Sequence, residues 1–266
     1  MIPDGLDATL VLLRHGESQL IVEGRFQGQA ETPLSVTGRR QAQLAAGRLA
    51  RPHRSPGLPV PQGAPREIAH SPLLRTTETA EAVASASAEV GAKVPTRADA
   101  GFAEIAQGEW EGRLHAEISE RWGDVLSGWR RRPREVWAPG GESLDDVQAR
   151  VRPALARLLE PLAVGREPGS LDRPQVAGYA DVAPRNHAWS VVVGHDGVFK
   201  VLLLTLFDLP LERFWMFTTA LCGITVIELR GGRPVLMLHN STEHLAPLLD
   251  EQAEAVAEAR ARSGAL

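Results

Sequence analysis

Two runs of apolar residues stand out along the chain. "TLVLLR" (9–14) is rich in β-formers, and "WSVVVGH" (189–195) is the strongest strand signal. Continuous apolarity, rather than alternation, predicts strands buried on both faces, as in a parallel sheet. Alanines and leucines at helical spacing in "LSVTGRRQAQLAAGRLA" (34–50) predict a helix with Ser35 or Thr37 as N-cap. "EIAHS" (67–71) reads as a short strand. Pro72 is then expected to start a helix, "PLLRTTETAEAVASA", at the first-turn position proline favours. "GGESLDDVQARVRPALARLLEPL" (140–162) reads as a helix, with Ser143 and Asp146 as a variant capping box. A further helix, "GVFKVLLLTLF", follows the second strong strand. "ITVIEL" and "PVLMLH" around "RGGR" read as a hairpin with a Gly-Gly turn.

Between these elements, 51–66 and 164–187 are dense in Pro and Gly and read as surface loops. The tail from Asp250 reads as a helix with a frayed end. Strands alternating with helices predict an α/β fold with a mostly parallel sheet. Four tryptophans (Trp110, Trp122, Trp129, Trp137) and the basic run "WRRRPRE" (129–135) fall in one middle region. The tryptophans fit either a small helical core or a cap over a pocket. The basic run fits a solvated face, or one that steers anions.

Composition narrows the function classes. The chain has 266 residues, 43% hydrophobic and 23% charged, with a formal net charge of −4. That is an ordinary globular composition, with no global pull towards nucleic acid or anionic membrane. No apolar run approaches the length of a bilayer span, and the first residues lack the features of a signal peptide. One cysteine, Cys222, allows no internal disulfide and suits a reducing compartment. The expectation is a cytoplasmic protein with no nucleic-acid or membrane partner, its oligomeric state open.

In parallel sheets, sites form outside the carboxyl ends of the strands. Here both strong strands end in histidine, His15 and His195. Arg14 stands beside the first. Arg75 lies one turn into the helix after "EIAHS", so it faces the same edge. Two imidazoles and two guanidiniums around one point suit a dense anion, and phosphate fits best because arginine presents a planar fork of donors. A neutral histidine can attack phosphorus, positive charge neutralises the transition state, and a carboxylic acid protonates the leaving alkoxide. Glu104 leads as that acid because it follows a short strand-like piece at the same edge, with Glu109 and Glu111 as rivals on position alone. No close pair of residues has metal-ligand spacing, so no metal or other cofactor is expected. His53, His70, His115, His187 and His239 read as structural or exposed, and Cys222 as core.

"LRHGES", "SPLLRTTETA", "EIAQGEWEG", "PGGES" and "VVVGHDG" occur in that order, from about Thr9 to Leu245. Together they resemble the histidine phosphatase superfamily, the phosphoglycerate mutase-like fold. The resemblance implies a single domain over 1–266: a three-layer α/β/α sandwich with a mostly parallel central sheet and a helical cap inserted at about 105–140. It implies that His15 is phosphorylated during turnover, that Arg14, Arg75 and His195 clamp the phosphoryl group, and that Glu104 donates the proton. "GRFQG" matches a phosphate-side loop, placing Arg25, Gln27 and Gly28 near the substrate, and Ser18 matches a Thr/Ser position. His244 matches the family's C-terminal stretch and is expected near the site in a structural role. Ile21 departs from the family pattern, where an asparagine is common; the lost amide would be worth about 1–2 kcal/mol if buried and paired. The expected activity is hydrolysis of a small phosphorylated metabolite. Alternatives are a phosphoglycerate-type mutase and a non-catalytic phospholigand-binding protein.

Overall fold

The computed structural model describes residues 2–163 and 187–251. Its strands are β1 (Ala8–Arg14), β2 (Ile68–His70), β3 (Thr96–Ala98), β4 (Trp189–Gly194), β5 (Ile224–Arg230) and β6 (Arg233–Ser241). Its α-helices are α1 (Gln19–Val22), α2 (Val36–Ala50), α3 (Leu74–Glu89), α4 (His115–Arg131), α5 (Leu144–Ala163) and α6 (Asp196–Leu206). The apolar run of β1 explains the layering. Leu10 and Leu12 enter one buried cluster with α5 and α6, while Val11 and Leu13 enter another with α2 and α3. Side chains alternate across a strand, so one apolar run feeds two cores and covers the sheet on both faces. The expected three layers result.

The sheet order is β3-β2-β4-β1-β5-β6. β1, β2, β3 and β4 pair in parallel, and β5 is antiparallel to both β1 and β6. The hairpin forms where "RGGR" stands, with Gly231 and Gly232 both at positive φ. Ser35 caps α2 by accepting from Gly38 N–H at 2.9 Å. Ser143 and Asp146 exchange bonds ahead of α5, as the capping-box reading expects.

One local detail differs from the sequence reading. The helix expected from Pro72 opens at Leu74, after an extended Leu73 that has no side-chain cap bond. Glu31, from a distant loop, accepts from Leu74 N–H at 3.0 Å and supplies the missing partner. Ahead of Glu104 the strand-like piece is β3, whose "TRA" is short and largely exposed and has no apolar signature to mark its bounds. The loop expected at 164–187 and the tail beyond Glu251 lie outside the described residues, His187 excepted.

Within 105–140 the main element is α4. Trp110, Ile118, Leu126 and Ala138 form a small separate core, joined by Phe26, Trp122, Val125 and Trp129. This favours the helical-core reading of the tryptophans, though Trp137 stands apart, 41% exposed. Two of the four arginines in the basic run are paired: Arg132 with Glu135, and Arg134 with Asp145 and Glu212.

Candidate active site

β1 and β4 lie side by side with Arg14 opposite Gly194. The next residues, His15 and His195, therefore leave the sheet together at its carboxyl edge. Their ring centroids are 5.1 Å apart, and both side chains are buried. The glycine after His15 has a steric cause. A Cβ on Gly16 would stand 2.4 Å from Gly38 O, and one on Gly38 would stand 1.8 Å from Glu17 O. The loop after His15 thus passes directly against the first turn of α2, at a separation only glycine permits.

His15 Nδ1 bonds Gly16 O at 2.6 Å. A carbonyl can only accept, so Nδ1 carries the proton and Nε2 the lone pair. Burial, and then Arg75 and Arg14, hold the His15 pKa well below 6.5. The ring is therefore neutral at pH 7, the state a nucleophile needs. His195 Nε2 lies 2.8 Å from Ser71 Oγ, which also accepts from Leu73 N–H at 3.3 Å. The hydroxyl has one proton and two lone pairs, so it can donate to Nε2 or accept from it. When it donates, neutral His195 carries its proton on Nδ1, which has no hydrogen-bond partner among the described residues. Burial lowers this pKa too, followed by Arg75 and His15.

The arginines are held by backbone carbonyls. Arg14 Nη1 donates to Thr219 O at 2.6 Å. Arg75 Nη1 donates to Ala30 O at 3.0 Å, and its Nη2 to Gly28 O at 2.7 Å. Among the described residues, the buried Nε of each arginine has no partner. Burial lowers the Arg75 pKa to about 10, which leaves it cationic at neutral pH. Such a group, fixed and incompletely satisfied, is suited to an anion.

Glu104 reaches the same edge through the first turn of α6. Its Oε1 accepts from Ile105 and Val198 N–H, both at 2.9 Å, and its Oε2 from Gly197 N–H at 3.0 Å. A Cβ on Gly197 would lie 2.7 Å from Oε1, so glycine admits the carboxyl to a helix N-terminus, where negative charge is favoured. Arg150 braces the acid's loop. It donates to Gly101 O, Ala103 O and Glu104 O and pairs with Glu142 at 2.8 Å. The rival carboxylates are placed differently. Glu109 is exposed, and Glu111 Oε1 accepts from Gln29 and Gln107 N–H.

The other expected residues are distributed unevenly. Ser18 Oγ donates to Gln27 Oε1 at 2.5 Å, so these two brace each other. Gly28 contributes its carbonyl to Arg75. Arg25 turns towards the 107–115 segment, where it donates to Gly112 O and pairs with Glu23. Ile21 lies half buried in α1, three residues after the Ser18 cap, whose Oγ accepts from Ile21 N–H at 3.4 Å. His244 Nε2 bonds Cys222 O, and Cys222 N–H donates to His15 O, which puts His244 behind His15. Burial pushes the Cys222 thiol up to about 12, so it is protonated at neutral pH. Among the described residues, no group of three or more His, Cys, Asp or Glu side chains could hold a metal. No described helix is long and apolar enough to cross a membrane.

The family model described as the histidine phosphatase superfamily (branch 1) matches residues 10–163 and 173–242. The chain belongs to the histidine phosphatase superfamily. It is 29% identical over 250 residues to phosphoserine phosphatase 1 of Hydrogenobacter thermophilus, covering 93% of this chain and 99% of that one. It is 35% identical over 208 residues to glucosyl-3-phosphoglycerate phosphatase of Mycobacterium tuberculosis, covering 77% and 78%. A solved structure of mycobacterial glucosyl-3-phosphoglycerate phosphatase with VO3 superposes with a TM-score of 0.68 at 28% identity, covering 88% of this chain and 99% of that one. Superfamily membership and these relatives support a phosphoric monoester hydrolase.

The histidine phosphatase site contains groups that sequence reasoning passed over. Ser71 sits in the quoted "SPLLR" motif, and only its contact with His195 reveals its part. Glu142 stands in "PGGES", whose likeness was noted without a role. Arg150 carried no signal, because a mid-helix arginine reads as a solvated charge.

Proposed function

We propose that this protein hydrolyses phosphomonoesters of small metabolites through a phosphohistidine on His15. One observation carries the reading: a neutral His15 with its lone pair on Nε2, buried beside two fixed guanidiniums and a second neutral imidazole. In the first step His15 Nε2 attacks phosphorus and the ester P–O bond breaks. Arg14, Arg75 and His195 Nδ1–H hold the equatorial oxygens as charge develops. Glu104, in its protonated form, delivers a proton to the departing alkoxide. In the second step the resulting carboxylate takes a proton from water, whose oxygen attacks phosphorus and frees His15. Every catalytic group in this scheme is a protein side chain, so activity should be insensitive to chelators.

The test is turnover of p-nitrophenyl phosphate with trapping of the phosphoenzyme. The expected result is label on His15 in the wild type, with activity reduced by at least about 10³-fold in His15→Ala. Undiminished turnover by His15→Ala would overturn the mechanism.

A further inference from the structure

The segment 217–223, "FTTALCG", joins the short helical turn after α6 to β5 and runs behind the nucleophile. Its backbone makes three contacts with the Arg14–His15 pair. Thr219 O accepts from Arg14 Nη1 at 2.6 Å, Gly223 O accepts from Arg14 N–H at 3.3 Å, and Cys222 N–H donates to His15 O at 3.3 Å. A loop can orient a guanidinium only if it is itself held. Here three side chains from separate elements hold it. Asp196 Oδ1 accepts from Thr219 Oγ1 at 2.6 Å, Asn240 Oδ1 accepts from Ala220 N–H at 2.6 Å, and His244 bonds Cys222 O at 3.0 Å.

Asp196 is the one of the three that joins the two halves of the site. It follows His195 directly and opens α6, the helix whose N-terminus receives Glu104. Its own orientation is fixed by Lys200, whose Nζ meets Oδ2 at 2.6 Å. Lys200 is buried and lies 5.3 and 4.9 Å from the centroids of the Phe214 and Trp215 rings. Both carboxylate oxygens are therefore engaged. The result is a continuous link, Lys200 to Asp196 to Thr219 to Arg14.

We propose that Asp196, acting through Thr219, is a positioning residue that aims the Arg14 guanidinium at the transferring phosphoryl group. Thr219 uses its hydroxyl on Asp196 and its carbonyl on Arg14, so one residue converts a helix-borne anchor into the direction of a cation. With Nη1 held, the rest of the guanidinium, including its unpartnered Nε, stays directed without reorganisation when the anion arrives. The inference rests on the phosphoryl-transfer reading of this pocket.

The experiment is a double-mutant cycle with Thr219→Val, an isosteric change that removes only the hydroxyl. It reads kcat/KM for p-nitrophenyl phosphate and competitive inhibition by orthophosphate. Thr219→Val should lower kcat/KM about tenfold and weaken orthophosphate by a similar factor. Thr219→Ser, which keeps the hydroxyl, should restore most of the loss. In an Arg14→Ala background, Thr219→Val should cost little more, because the group it aims is gone. Asp196→Ala should repeat the pattern. An undiminished Thr219→Val effect without Arg14, or no effect with it, would overturn the proposal. Phosphoenzyme trapping on the wild type separates the two readings: label on His15 alongside a failed cycle rejects only the positioning role, and absence of label rejects the mechanism itself.

Discussion

The carboxyl edge of the sheet and the 105–140 region are built on different terms. At the edge, His15, His195 and Arg75 are buried and Arg14 and Glu104 half-buried, and each is oriented by a backbone atom or a polar partner. His15 is held by Gly16, Arg75 by the carbonyls of 28 and 30, Arg14 by that of 219, and Glu104 by the first turn of α6. In the 105–140 region, order comes from a modest aromatic and aliphatic cluster and from exposed ion pairs. Directional bonds of the first kind fix a reaction geometry. Packing of the second kind holds a region in place while tolerating change in its outline. On the proposed mechanism, the chemistry belongs to the sheet edge and the α4 core serves stability.

The largest effect that would sharpen this contrast is on stability. Ile118 is fully buried in the α4 core. Ile118→Ala should cost about 2–5 kcal/mol, read as a lowered denaturant midpoint. Turnover of p-nitrophenyl phosphate per folded molecule should stay within about twofold. Loss of turnover at unchanged stability would break the division between the two regions.

Next is Glu104→Gln, which keeps the shape and removes the acid. For an alkyl phosphate it should lower kcat/KM by about 10²-fold or more. For p-nitrophenyl phosphate, whose leaving group needs little protonation, the loss should be much smaller. Equal losses on both substrates would remove Glu104 from the proton-donor role.

A third effect is the pH dependence of stability. His15 and His195 have folded pKa values well below 6.5, so the unfolded chain binds more protons under acid conditions. The stability associated with their neutral state is fully present above about pH 6.5 and is lost as pH falls below it, at up to about 1.4 kcal/mol per pH unit for each. The His15→Ala, His195→Ala double variant should show a shallower decline between pH 6.5 and 5. An identical slope would mean that these rings do not carry the titration.

The chemistry was legible in the sequence wherever a strong strand delivered it. His15 and His195 end the two most apolar runs, and Arg75 follows a third strand within one helical turn, so sheet topology alone brings them together. Glu104 was harder. The strand preceding it is three residues long and mostly exposed, so it gave a weak signal that its motif had to reinforce. The contacts that aim these groups were not legible. Ser71, Thr219 and Arg150 act through distances set by tertiary packing, and polar residues of these types are common in solvated positions. Arg25 shows the converse: its motif suggested the substrate, while its guanidinium is committed to Gly112 and Glu23. The start of α3 shows the same limit locally, since its first N–H is capped by a glutamate 43 residues earlier in the chain.

Both clamp arginines are anchored on peptide carbonyls, those of Gly28, Ala30 and Thr219. A peptide carbonyl is present whatever amino acid occupies the position. Side chains along 29–33 and 217–221 can therefore be exchanged in a library without removing an anchor, except Thr219 for its hydroxyl, Glu31 for its cap on α3 and Gln29 for its bond to Glu104 O. Inserting or deleting a single residue there moves the oxygen itself. In these two loops it is the number of residues, more than their identity, that an engineer seeking new substrates should leave alone.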